Sequence, residues 1–94
     1  MKDRSRVAAL RNMLREMEVD LGLETLSQHQ RDVYYAACLV ADEYHAVQSD
    51  KVRQHPLLSD MARPTFYRAL SELVARGFLQ ADGIRKDGRY RVKT

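Results

Sequence analysis

The stretch that decides the fold reads Arg63-Pro64-Thr65-Phe66-Tyr67-Arg68-Ala69-Leu70 and continues to Arg76-Gly77-Phe78-Leu79. Apolar residues recur there at helical spacing, and this predicts an amphipathic helix. Pro64 suits the first turn of that helix and Gly77 suits the position after its last turn. The residues predicted to face inward are Phe66, Leu70, Leu73 and Val74. The opposite face is basic and polar and carries Arg63, Thr65, Tyr67, Arg68 and Ser71.

Two strands are predicted after Gly77, at residues 78–81 and 89–93. In the second strand Tyr90 and Val92 alternate with charged residues, which predicts one apolar face and one basic face. We expect a three-residue loop at 86–88 with a bulge at Gly83, because this arrangement keeps Ile84 on the apolar side. The positive charges on this hairpin are Arg85, Lys86, Arg89, Arg91 and Lys93.

Residues 3–21 show an apolar seam with alternating spacings of three and four, which is a heptad pattern typical of paired helices. Gly22 follows the last position and is typical of a helix stop. The seam comprises Val7, Leu10, Leu14, Met17 and Leu21. A helix this short is marginal alone, so it packs either on its own domain or on a second subunit. We expect the second arrangement, a homodimer.

A second helix is predicted to begin after Ser27, because Gln30 completes a capping box. Its buried stripe is Val33, Ala37, Val40 and Tyr44, so we expect it to continue to about residue 45. A short edge strand is predicted at residues 47–48. Ser49 is predicted to cap a short helix over residues 50–54, which Pro56 ends. Leu57, Leu58 and Met61 are expected to fill the core.

Composition indicates one small domain, with 94 residues, 45% of them hydrophobic. The net charge of +3 is unevenly distributed. Residues 1–50 hold six Lys/Arg against nine Asp/Glu, whereas residues 51–94 hold ten against four. A basic half that coincides with the predicted helix and hairpin indicates a polyanion as partner; the alternative is a charged, solvated surface.

Catalytic and metal-binding signatures are weak. Cys38, Asp42 and His45 would share a helix face, which indicates either a metal or redox site or, as we expect, a packed cysteine beside exposed polar groups. No phosphate loop, nucleophile elbow or paired ligand motif occurs in the sequence. We therefore expect no enzyme activity and no cofactor. A single cysteine, no apolar signal core and no long apolar run predict a cytoplasmic protein that does not span a membrane.

The order helix, helix, turn, helix, hairpin from about Leu26 to Lys93 resembles the winged helix-turn-helix. Residues 26–31, Leu-Ser-Gln-His-Gln-Arg, resemble the opening of the first core helix in MarR-type (multiple antibiotic resistance) regulators. Residues 63–70 resemble the start of the recognition helix of that broad class, and residues 72–79 resemble its exit into the wing. Such helices usually begin after a small hydroxyl residue, whereas Ala62 stands here. The helix cap is then absent or comes from Ser59 or Asp60.

The resemblance implies an α+β, mostly α fold: a three-helix core plus a C-terminal β-hairpin wing, with an extra N-terminal helix. Residues 1–22 would form that amphipathic dimerisation helix and residues 23–94 the winged-helix domain. The implied function is a transcriptional regulator that binds specific double-stranded DNA sites through a recognition helix in the major groove and a basic wing. The expected DNA-binding residues are Arg63, Pro64, Thr65, Tyr67, Arg68, Ser71, Arg85, Lys86, Arg89 and Arg91.

Two other functions stay open at this point. A winged helix can serve as a protein-interaction module whose wing or recognition helix contacts an acidic protein. It can also bind DNA in replication or plasmid maintenance without regulating genes. The sequence indicates no pocket for a small-molecule effector.

Overall fold

The computed structural model describes residues 3–82 and 88–93. In these residues the chain is mostly helical with a small antiparallel sheet, in agreement with the expected α+β class. The helices are α1 (Arg4–Asp20), α2 (Gln28–Val40), α3 (Ser49–Arg53) and α4 (Arg63–Ala75), and the strands are β1 (Ala46–Gln48), β2 (Leu79–Ala81) and β3 (Arg89–Val92). Short 3-10 turns lie at Leu23–Thr25 and Pro56–Leu58.

The core lies between α2 and α4 and is closed by α3 and the sheet. Phe66, Leu70 and Leu73 on α4 are buried as predicted, and Val74 is half-buried. They meet Val33 on α2, which is also fully buried. The remaining core side chains come from the connecting segments and the sheet: Leu23, Leu26, Val47, Val52, Leu58, Leu79 and Val92.

The start of α2 is fixed by the predicted capping box. The Ser27 hydroxyl accepts a hydrogen bond from the Gln30 amide at 3.2 Å, and the Gln30 side chain accepts one from the Ser27 amide at 3.0 Å. Both contacts satisfy amides that the first helical turn leaves without partners.

The predicted end of α2 is wrong. The helix stops at Val40, and the side chain of Tyr44 is 68% exposed, so Tyr44 does not extend the buried stripe. The cause is Asp42, whose carboxylate accepts hydrogen bonds from the amides of Tyr44 (2.8 Å) and Ala46 (3.0 Å). An Asp that bonds the following backbone amides forms a turn that competes with the helix.

The segment between α2 and α4 differs from the prediction in two details. Ser49 is the first residue of α3 and not its cap; its amide donates to the Gly88 carbonyl at 2.8 Å, which ties α3 to the start of β3. Leu58 is buried and Met61 half-buried, as expected, but Leu57 is exposed. The reason is the 3-10 turn at Pro56–Leu58, which directs neighbouring side chains to different sides.

The sheet has the order β1-β3-β2, with both pairings antiparallel. Val47 pairs with Tyr90, Ala81 pairs with Tyr90 from the other side, and Leu79 pairs with Val92. The predicted alternation of β3 is confirmed, because Val92 is buried while Arg89 and Arg91 are exposed. The predicted bulge at Gly83, the position of Ile84 and most of the 86–88 loop lie outside the described residues.

Helix α1 extends away from the body of a molecule that measures 48 × 27 × 26 Å. Asp3 caps it by accepting from the Ser5 amide at 3.0 Å, and Gly22 ends it in the left-handed region at φ 75°. In α1 the one buried side chain is Glu18, at 2% exposure. The Tyr35 hydroxyl of α2 donates to its carboxylate at 2.6 Å. The heptad pattern, which identifies only apolar positions of α1, did not predict this anchor.

Burial raises the pKa of the Tyr35 hydroxyl, and the hydrogen bond to Glu18 raises it further. Tyr35 therefore keeps its proton and remains a donor across the neutral range. The Arg31 guanidinium lies 3.9 Å from the same Glu18 oxygen and also donates to the carbonyls of Leu23 and Glu24. A buried carboxylate with a hydrogen-bond donor and a nearby cation costs much less than one left alone.

Candidate nucleic-acid interface

The face of α4 that points away from the core carries the residues predicted for DNA binding. Because Phe66, Ala69, Leu70 and Leu73 use the inward face, the remaining positions point outward. Arg63, Pro64, Tyr67, Arg68 and Ser71 are exposed, and Thr65 is half-buried. The Tyr67 ring packs against the buried Phe66 ring in an edge-to-face arrangement, with 5.0 Å between centroids, and Tyr67 is still 39% exposed.

The beginning of α4 has no side-chain cap. Ala62 has the extended conformation of a capping residue (φ −65°, ψ 147°) but no side-chain oxygen, and neither Ser59 nor Asp60 supplies a cap. The predicted alternative of an absent cap is therefore the observed one. Uncapped amides at a helix start carry partial positive charge and can bind an anion.

The cations of α4 have no acidic partner in the described part of the chain. Among residues 3–82 and 88–93, Arg63 and Arg68 form no ion pair or side-chain hydrogen bond. Arg68 also forms no bond to Glu72 one helical turn later, although helix geometry brings residues at that spacing close together. The absence of this bond leaves the Arg68 guanidinium and its donors accessible to a ligand.

A shallow groove of about 730 Å³ runs between the first turn of α2 and the exposed face of α4. It exists because α2 and α4 pack across the core, which brings two segments distant in sequence side by side. Ser27, His29 and Gln30 line one wall. The other wall consists of α4 residues, namely Pro64, Thr65, Tyr67, Arg68, Ala69, Ser71, Glu72 and Ala75. Sequence reasoning missed the α2 wall, and no local pattern around His29 could have indicated it.

The exposed face of β3, the central strand, supplies a second set of cations. Arg89 and Arg91 both point to solvent, as the alternation predicts. Arg91 also contacts Asp82, the residue after β2, at 3.4 Å, an exposed pair that is weak in water. Arg85 and Lys86 lie outside the described residues.

Arg76 belongs to the fold rather than to this interface. Its guanidinium donates to the Thr25 carbonyl (3.1 Å) and the Thr25 hydroxyl (2.7 Å), and it stacks over the Phe78 ring at 5.8 Å. These contacts fasten the end of α4 to the turn after α1. Near it, Gly77 takes the left-handed conformation (φ 84°) that ends α4 and starts β2, as its place in the sequence predicts.

Cys38, Asp42 and His45 do not share a helix face, because α2 ends at Val40, and the described residues hold no cluster of three or more potential metal ligands. None of the helices described has the length and apolar content that crossing a bilayer requires.

The apolar seam of α1 is solvent-exposed in the single chain. The predicted dimerisation residues are between 39% and 67% exposed: Val7, Leu10, Leu14, Met17 and Leu21. The alternative that α1 buries this seam on its own domain is therefore not what the structure has; Glu18, on the edge of the seam, makes the contact with the body.

No protein-family model, curated protein or solved structure matches this chain.

Proposed function

We propose that this chain is a winged helix-turn-helix domain that binds specific sites on double-stranded DNA and regulates transcription. The order α2, β1, α3, α4, β2, β3 supports it, with α3 and α4 as the helix-turn-helix and β2 and β3 as the wing. Pairing of β1 with β3 supports it as well, since this closes the sheet against the helical core. A binding role, rather than an enzymatic one, fits the open, basic face of α4.

The observation that carries the proposal is the basic, uncapped start of α4. Arg63 and Arg68 point outward without acidic partners in the described residues, next to helix amides that no side chain caps. A phosphate oxygen can satisfy such amides, and a long guanidinium can reach a base edge.

The contacts divide by chemistry in this proposal. Arg68 reads a guanine through O6 and N7, because its forked donors match those two acceptors. Thr65 and Ser71 donate to phosphates or base edges, and Tyr67 packs on a thymine methyl or donates to phosphate. The wing residues Arg85, Lys86, Arg89 and Arg91 contact the backbone, which orients the protein more than it selects sequence.

The groove beside α4 favours a second candidate, a protein-interaction module. Pro64, Tyr67 and Ala69 give it apolar surface, and Arg68 gives it a cation, so an acidic peptide with an apolar residue fits the same wall. DNA remains the first choice because the charge of residues 51–94 spreads over both α4 and β3, beyond the reach of one groove. A role in replication or plasmid maintenance would use the same DNA contacts.

Selection of bound fragments from a random duplex library with purified protein tests the proposal. We expect one enriched motif and an affinity that falls steeply with salt, because phosphate contacts release counterions. A library without enrichment, together with weak and salt-insensitive binding, would refute DNA recognition and favour the protein-interaction module. The positions of the enriched motif relative to promoters then distinguish gene regulation from plasmid maintenance.

A further inference from the structure

We propose that the exposed seam of α1 binds α1 of a second copy of this chain in antiparallel orientation. The seam is a continuous apolar strip along a 17-residue helix, and the chain's own body covers only Glu18 at its edge. This inference does not depend on DNA binding, and its tests use no DNA.

The charges along α1 indicate that the partner of the seam is a second copy of the same helix. Arg6 lies near the start of the helix and Asp20 at its end, and both are exposed on the same flank of the seam, on either side of Met13. The helix is thus basic at one end of this flank and acidic at the other. A two-fold axis perpendicular to the helix places residue i against residue j of the second copy, and j against i, so such a helix is complementary to its own reversed copy.

The spacing fixes the register. Arg6 and Asp20 each lie seven residues from Met13, or about 10 Å along the helix at 1.5 Å per residue. A two-fold axis near Met13 therefore brings Arg6 close to Asp20 of the second copy, twice by symmetry. The same register layers Leu10 on Leu14 of the second copy and Val7 on Met17 of the second copy, so four of the five seam residues form apolar pairs, and Leu21 lies beyond them at the end of the helix.

Parallel pairing is worse for the same residues. In a parallel heptad pair, the flank residue of one heptad faces the flank residue five positions later in the partner, so Arg6 would face Arg11 of the second copy, again twice. Antiparallel pairing leaves one like-charged contact, which is between Arg11 and Arg11 of the second copy near the two-fold axis. Glu18 cannot relieve either arrangement, because Tyr35 and Arg31 of its own chain hold it.

Analytical ultracentrifugation tests whether the seam pairs. We expect wild type to be dimeric at tens of micromolar and Leu10→Glu to be monomeric, because the change buries a charge in the seam. Val19→Glu is the matched control, since Val19 is half-exposed on the opposite side of α1, and it should remain dimeric. Circular dichroism verifies that both variants fold. A wild type that is monomeric at about 100 µM, well above ordinary weak-dimer constants, overturns the proposal.

Charge exchange tests the orientation. Arg6→Glu and Asp20→Arg should each raise the dimer dissociation constant roughly tenfold at low salt, because two exposed ion pairs become repulsive. The double variant Arg6→Glu/Asp20→Arg should return to nearly the wild-type value. Tighter dimerisation of Arg6→Glu alone would contradict the antiparallel arrangement, because only parallel pairing gains from removing that arginine.

Cross-linking gives an independent readout. In a Cys38→Ser background, Arg6→Cys and Asp20→Cys proteins are mixed and mildly oxidised. Antiparallel helices give a mixed disulfide-linked dimer and little like-with-like product. If the disulfide-linked dimer between the two different variants is no more abundant than the dimers of each variant with itself, the antiparallel orientation is wrong.

Discussion

One short hydrogen bond, between Tyr35 and Glu18, determines where α1 leaves the body of the molecule. Its 2.6 Å length and the burial of Glu18 make it the polar anchor between α1 and α2. Arg31, at 3.9 Å, is too distant to replace the hydroxyl as a direct donor.

Tyr35→Phe should lower the free energy of unfolding by about 1–3 kcal/mol, because it leaves a buried carboxylate oxygen without its donor. Tyr44→Phe is the control, since Tyr44 is exposed and its hydroxyl makes no hydrogen bond in the described part of the chain. Urea denaturation measures both variants. Equal stability of the two would mean that α1 is not anchored through Glu18.

Arg68→Ala should weaken binding to the preferred DNA site by about 1–3 kcal/mol and relax the preference at one base pair, as expected when a bidentate pair of hydrogen bonds to a base is removed. Arg68→Lys keeps the charge but not the fork, so it should relax the preference with a smaller decrease in affinity. Repeating the library selection with each variant measures both effects. An unchanged motif would remove Arg68 from sequence reading.

At the scale of the element, the start of α4 combines a structural weakness with a proposed function. Ala62 has the backbone conformation of a cap without the side chain for it. The missing cap lowers stability there and leaves the amides open to a phosphate, so a negatively charged cap should raise stability and weaken DNA binding at the same time.

Ala62→Ser and Ala62→Asp should each stabilise the protein by about 0.5–2 kcal/mol, because both supply the missing cap. Only Ala62→Asp should weaken DNA binding, since its carboxylate repels the phosphate that the proposal places at the same amides. Thermal unfolding and DNA titration on both variants measure the two effects. If Ala62→Asp binds DNA as tightly as Ala62→Ser, phosphate does not approach this end of α4.

Helices and strands could be predicted from the sequence where the contacts that determine them are local. The capping box of Ser27 and Gln30 spans three residues, and the alternation of β3 is visible within four, so both were predicted correctly. The end of α2 was predicted wrongly. The apolar spacing continues to Tyr44, but Asp42 forms a turn that ends the helix before that residue.

Contacts between distant residues left no signal in the sequence. Arg76 binds Thr25 across 51 positions, and Glu18 binds Tyr35 across 17. The same limit applies to the candidate site. The exposed residues of α4 follow from helical periodicity, whereas the α2 wall of the groove follows only from the packing of α2 on α4.

At the scale of the whole molecule, positive charge is concentrated in the half that contains α4 and β3. Arg89→Gln combined with Arg91→Gln should weaken binding to all DNA sequences similarly and flatten the slope of log affinity against log salt by about 0.9 for each phosphate that is no longer neutralised. Arg15→Gln on α1 removes a charge remote from α4 and should leave the slope unchanged. Identical slopes in the double variant and wild type would show that β3 does not contact the DNA backbone.

The central position of β3 has a consequence for how the chain folds during synthesis. Its two neighbours, β1 and β2, precede it in the chain and do not pair with each other. The sheet therefore cannot begin to form until the ribosome has released residues 89–92, and β1 then closes across more than forty residues. Long-range pairing of this kind is slow. We expect nascent chains that end before residue 88 to contain helices but no sheet, so the sheet would be the last part of the molecule to become resistant to proteases.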